Sequence, residues 1–280
     1  MDKIGRYEFL AEPFHCDFSG RLIMGHLGNH LLNAADFHSN DRGFGMQYLL
    51  GIHRSWVLSR LAIEMTEMPP MYTRFNVETW VESAMRFFTS RNFAITGVVP
   101  SHPRTSAPPD VVPPYPRTPA PPKIYGYGRS VWAMIDTETR QPTDILAIDG
   151  GAINDWIVKD KDCPIDKGGR VKMSDDAAFV RTIDTNYNDV DINGHINSVK
   201  YIEHVLDLWP IEWYREHTLK RFEIAYVAEA HGGDQLSFYR EEEPASLEPP
   251  HPRTPAPLAY NVRIVRTDGT ECCRCKLVFL

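Results

Sequence analysis

Four side chains able to do polar chemistry stand on alternate positions between Asn188 and Asp207. They are Asp191, Asn193, His195 and Asn197. Alternation in an extended or turning segment places such side chains on one side, and an imidazole can transfer a proton near neutral pH. A helical pattern follows, and the free N–H groups at a helix start favour an oxygen that gains negative charge. The stretch therefore indicates hydrolysis of an activated acyl group.

Glu229 is the carboxylate expected to complete this site. It is predicted on a neighbouring strand among apolar residues, where burial would raise its pKa toward the range of a general base for water. A structural interpretation fits the same residues, because Asp191 and Asn193 are also typical turn and N-cap residues. The spacing alone leaves both interpretations open.

The elements that must position these residues occur twice. The first half has a strand near residues 8–14, a helix from Gly25 and four further strands, and the second half repeats this order with a helix from about Gly194. Apolar residues three or four positions apart give each helix one stripe to bury. The predicted fold class is α+β, with each long helix wrapped by its own curved antiparallel sheet.

Only the second half is predicted to carry the polar set. Aligning Gly25–His26 with Gly194–His195 places Asp191 opposite Leu22. A separate alignment of the strand after each helix, with Arg60 opposite Arg221, places Glu229 opposite Met68. A scaffold needs both halves to pack, so polar residues in one half alone favour a chemical role.

Composition bounds the remaining possibilities. The chain has 280 residues, 42% of them hydrophobic, and a net charge of −7, which argues against a general nucleic-acid binder. No apolar run approaches the roughly 18 residues of a membrane span, and the N-terminus lacks a signal-peptide core. We expect a cytoplasmic location, or a targeting segment outside this sequence. The five cysteines form no zinc-site spacing, so no metal is predicted and a reducing compartment fits.

Proline marks two loops and helps to divide the chain. Ten of the 22 prolines lie at positions 100–122 and six at 244–257, and such segments cannot join a sheet ladder. We predict Pro-rich loops at about 99–123 and 243–258, at the corresponding hairpin of each half. The predicted domains are residues 1–158 and 175–280, joined by a charged linker at 159–174.

The motif "DVDINGHINSVKYIEHVLD", followed by Glu229 in "YVAEAHGGD", resembles the acyl-acyl carrier protein thioesterases of plant plastids and their bacterial relatives. Their signature is Asp-x-Asn-x-His-x-Asn, then Val-Lys-Tyr, then a Glu on a later strand. The first half is also similar to the bacterial members in "DFSGRL" and "WVLSRLAIEM". The resemblance spans nearly the whole chain apart from the proline loops.

The resemblance implies a tandem double hot-dog fold, with an acyl-chain pocket in the N-terminal domain and catalysis in the C-terminal one. It implies hydrolysis of fatty acyl-acyl carrier protein to free fatty acid, which terminates fatty acid synthesis, without a cofactor. Glu229 would activate water, His195 and Asn193 would position water and thioester, and Asp191 would hold their arrangement. Further substrate-positioning residues would be Gly194 and Asn197.

The expected partner, acyl carrier protein, is acidic, so a basic patch should favour it. The candidate docking residues are Lys200, Arg215, Lys220 and Arg221. Ala230 stands where plant family members carry a Cys after the Glu, which favours the water mechanism over a Cys nucleophile. Two alternatives stay open: an acyl-CoA thioesterase on the same fold, and a non-catalytic lipid-binding hot-dog module. A monomer and a homodimer are both compatible with the sequence.

Overall fold

The strands predicted from the alternating pattern lie in one antiparallel sheet. The computed structural model describes residues 2–98, 121–243 and 257–280, so the two Pro-rich loops fall almost wholly outside the described residues. The strands are β1 (Gly5–Leu10), β2 (Arg54–Met65), β3 (Arg74–Ala84), β4 (Phe88–Gly97), β5 (Ile124–Asp136), β6 (Ala178–Asp184), β7 (Leu219–Tyr226), β8 (Gln235–Glu242), β9 (Leu258–Arg266) and β10 (Glu271–Phe279). The helices are α1 (Met24–Asp41), α2 (Met46–Leu50), α3 (Ser198–Leu206) and α4 (Ile211–Glu216).

The order of the strands has an internal symmetry. Within the described residues it is β1-β3-β4-β5-β2-β7-β10-β9-β8-β6. The strands of the second half repeat the order of the first in reverse, and β2 and β7 meet antiparallel at the centre. Each half therefore forms a five-stranded half-sheet, and main-chain hydrogen bonds join the two half-sheets. The prediction that the two Pro-rich loops lie at the corresponding hairpin of each half is wrong. The first lies between β4 and β5 in the chain and the second between β8 and β9, which correspond to β3 and β4, because either hairpin tip can accept an insertion.

The long helices bury the stripes that their spacing predicts. Leu27 and Leu31 of α1 and Ile202 of α3 are fully buried and belong to one core shared by both halves. The helices approach closely where α1 carries glycine: a Cβ at Gly25 would lie 2.7 Å from Cγ of Glu203. The core is thus continuous across the centre of the sheet, although each half contributes its own helix.

α3 begins later than predicted. Its first residue is Ser198 rather than Gly194, because residues 191–194 form a turn and the next two residues pair with other segments: His195 pairs with His231, and Ile196 with Val190. The polar stretch therefore precedes the helix and has an extended backbone at its end.

The predicted linker lies against the sheet. Arg129 of β5 donates to the carbonyl of Cys163 at 2.6 Å, and Arg274 of β10 donates to that of Val171 at 3.1 Å. The side chains of Cys163 and Ile165 pack with Trp80 of β3, which points away from Phe75 and the helix core because strand side chains alternate. The linker thus covers the sheet face opposite α1.

Elements that the pattern did not predict close one end of the first half. The short helix α2 and a 3₁₀ segment at Ile145–Trp156 form a second core with β3 and β5. Its buried residues include Phe44, Leu49 and Ile153. No helix in the described part of the chain has both the length and the apolar character needed to cross a bilayer.

Candidate active site

The polar stretch before α3 is organised by the side chain of Asp191. Its Oδ1 accepts the N–H of Asn193 at 2.8 Å and that of His195 at 3.2 Å. The Gly194 N–H donates to the Asp191 carbonyl at 3.0 Å, and Gly194 has a φ of 80°, in the left-handed region that glycine adopts without steric cost. The carboxylate therefore holds the turn that presents Asn193 and His195.

His195 and Glu229 are brought together by backbone pairing. His195 pairs with His231, just after Glu229 in the chain, and the Glu229 Oε2 lies 3.4 Å from the His195 Nε2. Arg266 donates to the Glu229 carbonyl at 3.3 Å, which anchors the backbone there. Catalytic contacts often tighten only when substrate binds, so this distance suits an acid–base pair.

The predicted environment of Glu229 is wrong in two respects. β7 ends at Tyr226, so Glu229 lies in the segment beyond the strand. Its side chain is 37% exposed rather than buried among apolar residues. The reason is that the chain leaves the sheet after Tyr226 and returns toward the turn, where the carboxylate reaches both water and polar side chains.

Arg140, a residue that the sequence pattern did not single out, also contacts Glu229. It lies in the loop after β5, in the first half, and its Nη2 forms an ion pair with the Glu229 Oε1. Nothing in the spacing signals this contact, because it joins residues 89 positions apart in different halves. The two oxygens of Glu229 are thus divided between a guanidinium and an imidazole.

The first half contains the same turn without the candidate catalytic side chains. Asp17 Oδ1 accepts the N–H of Ser19 at 2.8 Å and that of Arg21 at 3.4 Å, and Gly20 has a φ of 70°. Ile23 is the N-cap of α1, as Asn197 is of α3.

The alignment of Gly25–His26 with Gly194–His195 is therefore wrong. Asp191 corresponds to Asp17 rather than to Leu22, and His195 corresponds to Arg21. The repeated Gly-His dipeptide misled the alignment, because the first lies inside a helix and the second before one. A carboxylate that holds the turn is present in both halves, so Asp191 is not one of the polar residues found only in the second half.

The alignment of the strands is confirmed. Arg21 pairs with Pro70 as His195 pairs with His231, and this places Met68 at the position of Glu229. Arg21 donates to the Met68 carbonyl at 2.9 Å. The first half therefore builds the same framework with no carboxylate or imidazole at the two decisive positions.

A cavity of about 700 Å³ extends from these residues into the first half. Asn193, His195, Arg140 and Glu229 lie at its exposed end. Its apolar walls in the first half include Leu32, Phe44, Trp56, Leu58, Trp132 and Ile153. This volume is typical of small-molecule sites. Among the described residues, no group of three His, Cys, Asp or Glu side chains is placed to hold a metal ion.

The cavity also has a buried cation in its wall. Arg91 of β4 is 4% exposed and donates to Ser39 Oγ at 2.9 Å and to Thr79 Oγ1 at 3.2 Å. Burial lowers the pKa of Arg91 to about 9, so the guanidinium remains charged at neutral pH. The cavity wall in the first half therefore combines apolar side chains with a buried, hydrogen-bonded guanidinium.

Two tyrosines lie beneath the turn. Tyr226 donates to the Ser198 carbonyl at 2.8 Å, which ties β7 to the start of α3. Burial raises the pKa of Tyr226 well above its usual range and raises that of Tyr201 as well. Both phenols therefore stay neutral and contribute dipoles rather than charge to the site.

Asn197, predicted as a substrate-positioning residue, is the N-cap residue of α3. The Asn197 Oδ1 accepts the Val199 N–H at 2.9 Å as the N-cap of α3, so this oxygen is occupied by the helix. Asn197 and Gly194 both remain predicted substrate-positioning residues; Asn197 lines the cavity, and Gly194 sets the turn.

Three of the four predicted docking residues form ion pairs within the chain, and two of these, Arg221 and Lys220, share Glu64. Arg221 is 11% exposed in its side chain and pairs with Glu64 at 2.8 Å and Glu223 at 2.7 Å. Lys220 lies 3.8 Å from the same Glu64. The docking role predicted for Arg221 does not fit this position, because its donors are engaged beside the linker.

The other two basic residues differ in their availability. Lys200 pairs with Glu203 at 2.7 Å. Arg215 of α4 is exposed and lies over the ring of Phe18 at 5.6 Å, with no carboxylate within ion-pair distance among the described residues. Arg215 is therefore the strongest remaining candidate for contact with an acidic partner.

Two family models match the chain. The one for the acyl-ACP thioesterase N-terminal domain matches residues 6–100, and the one for the C-terminal domain matches residues 172–276. The solved structure of an acyl-ACP thioesterase from Bacteroides thetaiotaomicron is 45% identical, over 99% of this chain and 98% of that chain, with a TM-score of 0.81. The chain belongs to the acyl-ACP thioesterase family.

A more distant structure agrees in fold. The 12:0-ACP thioesterase from Umbellularia californica is 19% identical over 99% of this chain and 94% of that chain, with a TM-score of 0.77. In the chain described here, the turn at residues 191–194 and Glu229 lie inside the segment that matches the C-terminal family model. Arg140 lies between the segments that match the two family models.

Plant members of the acyl-ACP thioesterase family match part of their length. The chloroplastic palmitoyl-acyl carrier protein thioesterase of Arabidopsis thaliana is 23% identical over 62% of this chain and 38% of the plant protein. That of Gossypium hirsutum is 24% identical over 72% of this chain and 46% of the plant protein. The matches therefore span less than half the length of these two relatives.

Proposed function

We propose that this chain hydrolyses the thioester of fatty acyl-acyl carrier protein, releases free fatty acid and so terminates fatty acid synthesis. The observation that carries the proposal is the Glu229 carboxylate, 3.4 Å from the His195 imidazole, at the exposed end of a cavity of about 700 Å³. The acyl chain occupies the apolar part of the cavity, and the thioester carbonyl lies beside Glu229.

The proposed reaction needs one water and one proton carrier. Glu229 takes a proton from water while the water oxygen attacks the thioester carbonyl carbon. The carbon–sulfur bond of the tetrahedral intermediate then breaks, and Glu229 returns the proton to the departing thiolate. His195 and Asn193 orient the water and the thioester, and Asp191 keeps both on one turn.

The fold supports a matching domain proposal. We infer two tandem hot-dog domains, residues 1–158 and 175–280, joined by the linker at 159–174. The first supplies most of the acyl cavity and the second supplies the turn and Glu229. Because β2 and β7 pair within one chain, sheet pairing between copies is not required, and we propose a monomer. The cytoplasmic location remains a prediction.

The surface charge of the acyl carrier distinguishes the proposed substrate from its alternative. Carrier protein is acidic, and the exposed Arg215 is the basic residue best placed to contact it. An acyl-CoA substrate would use the same cavity and Glu229 but would not present an acidic protein surface. Comparison of the two carriers therefore separates the proposal from its alternative.

The experiment that tests the proposal uses a series of acyl-acyl carrier proteins of increasing chain length, with free thiol and free fatty acid measured together. We expect hydrolysis by the wild type and a fall in kcat of about 10²- to 10⁴-fold in Glu229→Gln, because the general base is lost. The matched control is Glu138→Gln, since Glu138 lies in the same loop as Arg140 and is 69% exposed.

The control should retain wild-type kcat, and acid and thiol should appear in equal amounts. Absence of free acid across the whole series would refute the proposed activity. Full turnover by Glu229→Gln would refute the role of Glu229 while leaving the activity standing.

A further inference from the structure

The ion pair between Arg140 and Glu229 joins the two halves at the candidate site. Arg140 contacts the Glu229 Oε1, and the other oxygen, Oε2, faces His195. The last torsion of a glutamate side chain has a broad distribution, so nothing intrinsic to Glu229 selects this orientation. A charge-assisted hydrogen bond to one oxygen does select it.

The loop that carries Arg140 is built to present it. Asp136 at the end of β5 accepts the N–H groups of Glu138 at 2.9 Å and Thr139 at 2.8 Å through its carboxylate. The Arg140 N–H donates to the Asp136 carbonyl at 2.9 Å. Arg140 itself has a φ of 60°, in the left-handed region that non-glycine residues rarely adopt.

Stability does not account for this arrangement. The side chains of Arg140 and Glu229 are 45% and 37% exposed, and an ion pair this exposed adds little to the free energy of unfolding. A left-handed arginine costs a comparable or larger amount. Backbone strain kept without a gain in stability is typical of functional sites.

We propose that Arg140 is a positioning residue that holds the Glu229 carboxylate with Oε2 toward His195. The inference rests on the proposed function, since it assigns Arg140 to the activation of water by Glu229. It follows that the first half contributes to the chemistry of the second half as well as to the acyl cavity.

The variant that tests this is Arg140→Gly. Glycine suits a φ of 60°, so the fold is retained and the melting temperature should not fall. We expect a fall in kcat of about 10- to 100-fold with little change in KM, from the loss of one charge-assisted hydrogen bond. Millimolar guanidinium should restore part of the activity, and Arg140→Lys should be intermediate.

The matched control is His53→Gly. His53 also has a left-handed φ, 55°, and it contacts Glu138 in the same region but does not line the cavity. This variant should keep wild-type kcat and should not respond to guanidinium. An unchanged or raised kcat in Arg140→Gly, or a loss that guanidinium cannot restore, would overturn the positioning role.

A second measurement does not depend on turnover. In a crystal structure of Arg140→Gly, the Glu229 carboxylate should rotate away from His195. A carboxylate that keeps its wild-type orientation overturns the inference even if no thioester is hydrolysed. Conversely, a wild type that hydrolyses no acyl-acyl carrier protein refutes the proposed function alone.

Discussion

Replacing Gly194 by alanine tests how far the turn before α3 controls catalysis. Gly194 has a φ of 80°, and a Cβ built there would meet no atom within 4 Å. The substitution therefore adds no steric clash and acts only through the backbone conformation. A left-handed alanine costs about 1–2 kcal/mol, which the turn either bears as lost stability or relieves by changing shape.

The first half offers a matched control. Gly20 occupies the corresponding turn with a φ of 70°, and a Cβ there also meets no atom within 4 Å. That turn is held by Asp17 through the same two kinds of backbone contact. Gly20→Ala therefore imposes the same strain on a turn that carries neither His195 nor Asn193.

Both variants should lose about 1–2 kcal/mol of unfolding free energy, a fall of about 2–8 °C in melting temperature for a chain of this size. Only Gly194→Ala should also lose activity. We expect a fall in kcat of about tenfold or more, because a small displacement of Asn193 and His195 misaligns the reacting groups.

The assay pairs thermal unfolding with initial rates on one acyl-acyl carrier protein at saturation. Equal losses of kcat in Gly194→Ala and Gly20→Ala would mean that strain acts globally. A fully active Gly194→Ala with reduced stability would mean that the turn does not position the catalytic side chains. Either result would refute the reasoning.

Two further predictions concern pH and the partner. Burial, with the cation of Arg91 nearby, lowers the pKa of His38 to about 3, whereas an unfolded histidine titrates near 6.5. The unfolded state therefore binds more protons between these values, so unfolding free energy should fall below about pH 6.5 by up to about 1.4 kcal/mol per pH unit. Urea unfolding at pH 7, 6 and 5 gives the unfolding free energy at each pH. This free energy should depend less steeply on pH in His38→Gln than in the wild type, and an equal dependence in both would contradict the prediction. Arg215→Glu should raise KM for acyl-acyl carrier protein about tenfold at low salt but leave KM for acyl-CoA unchanged; equal effects on both would exclude docking at Arg215.

Much of the fold follows from local pattern. Each of the ten strands of the described residues overlaps an alternating or apolar run that predicts it, although β1 lies at Gly5–Leu10 rather than near residues 8–14 and β7 ends before Glu229. Residues such as Leu27, Leu31 and Ile202 are buried as their spacing requires. The short helices α2 and α4 were missed because segments of five or six residues carry too little periodicity.

The duplication was visible in the sequence, but its detailed correspondence was not. Two Gly-His dipeptides gave a false match, and only the hydrogen bonds of Asp17 and Asp191 show which turns correspond. Asp191 therefore does not distinguish the second half, because Asp17 holds the corresponding turn in the first half. The residues that distinguish the second half are His195 and Glu229.

The sequence by itself determined the order of the two long helices and the ten strands, and the half that carries an imidazole and a carboxylate, because these depend on residue types and short spacings. Tertiary structure alone decided that Glu229 is partly exposed, that Arg140 reaches it from the other half, and that both border one cavity. Those facts depend on contacts between residues far apart in the chain, which only the pairing of β2 with β7 and the paths of the loops bring together.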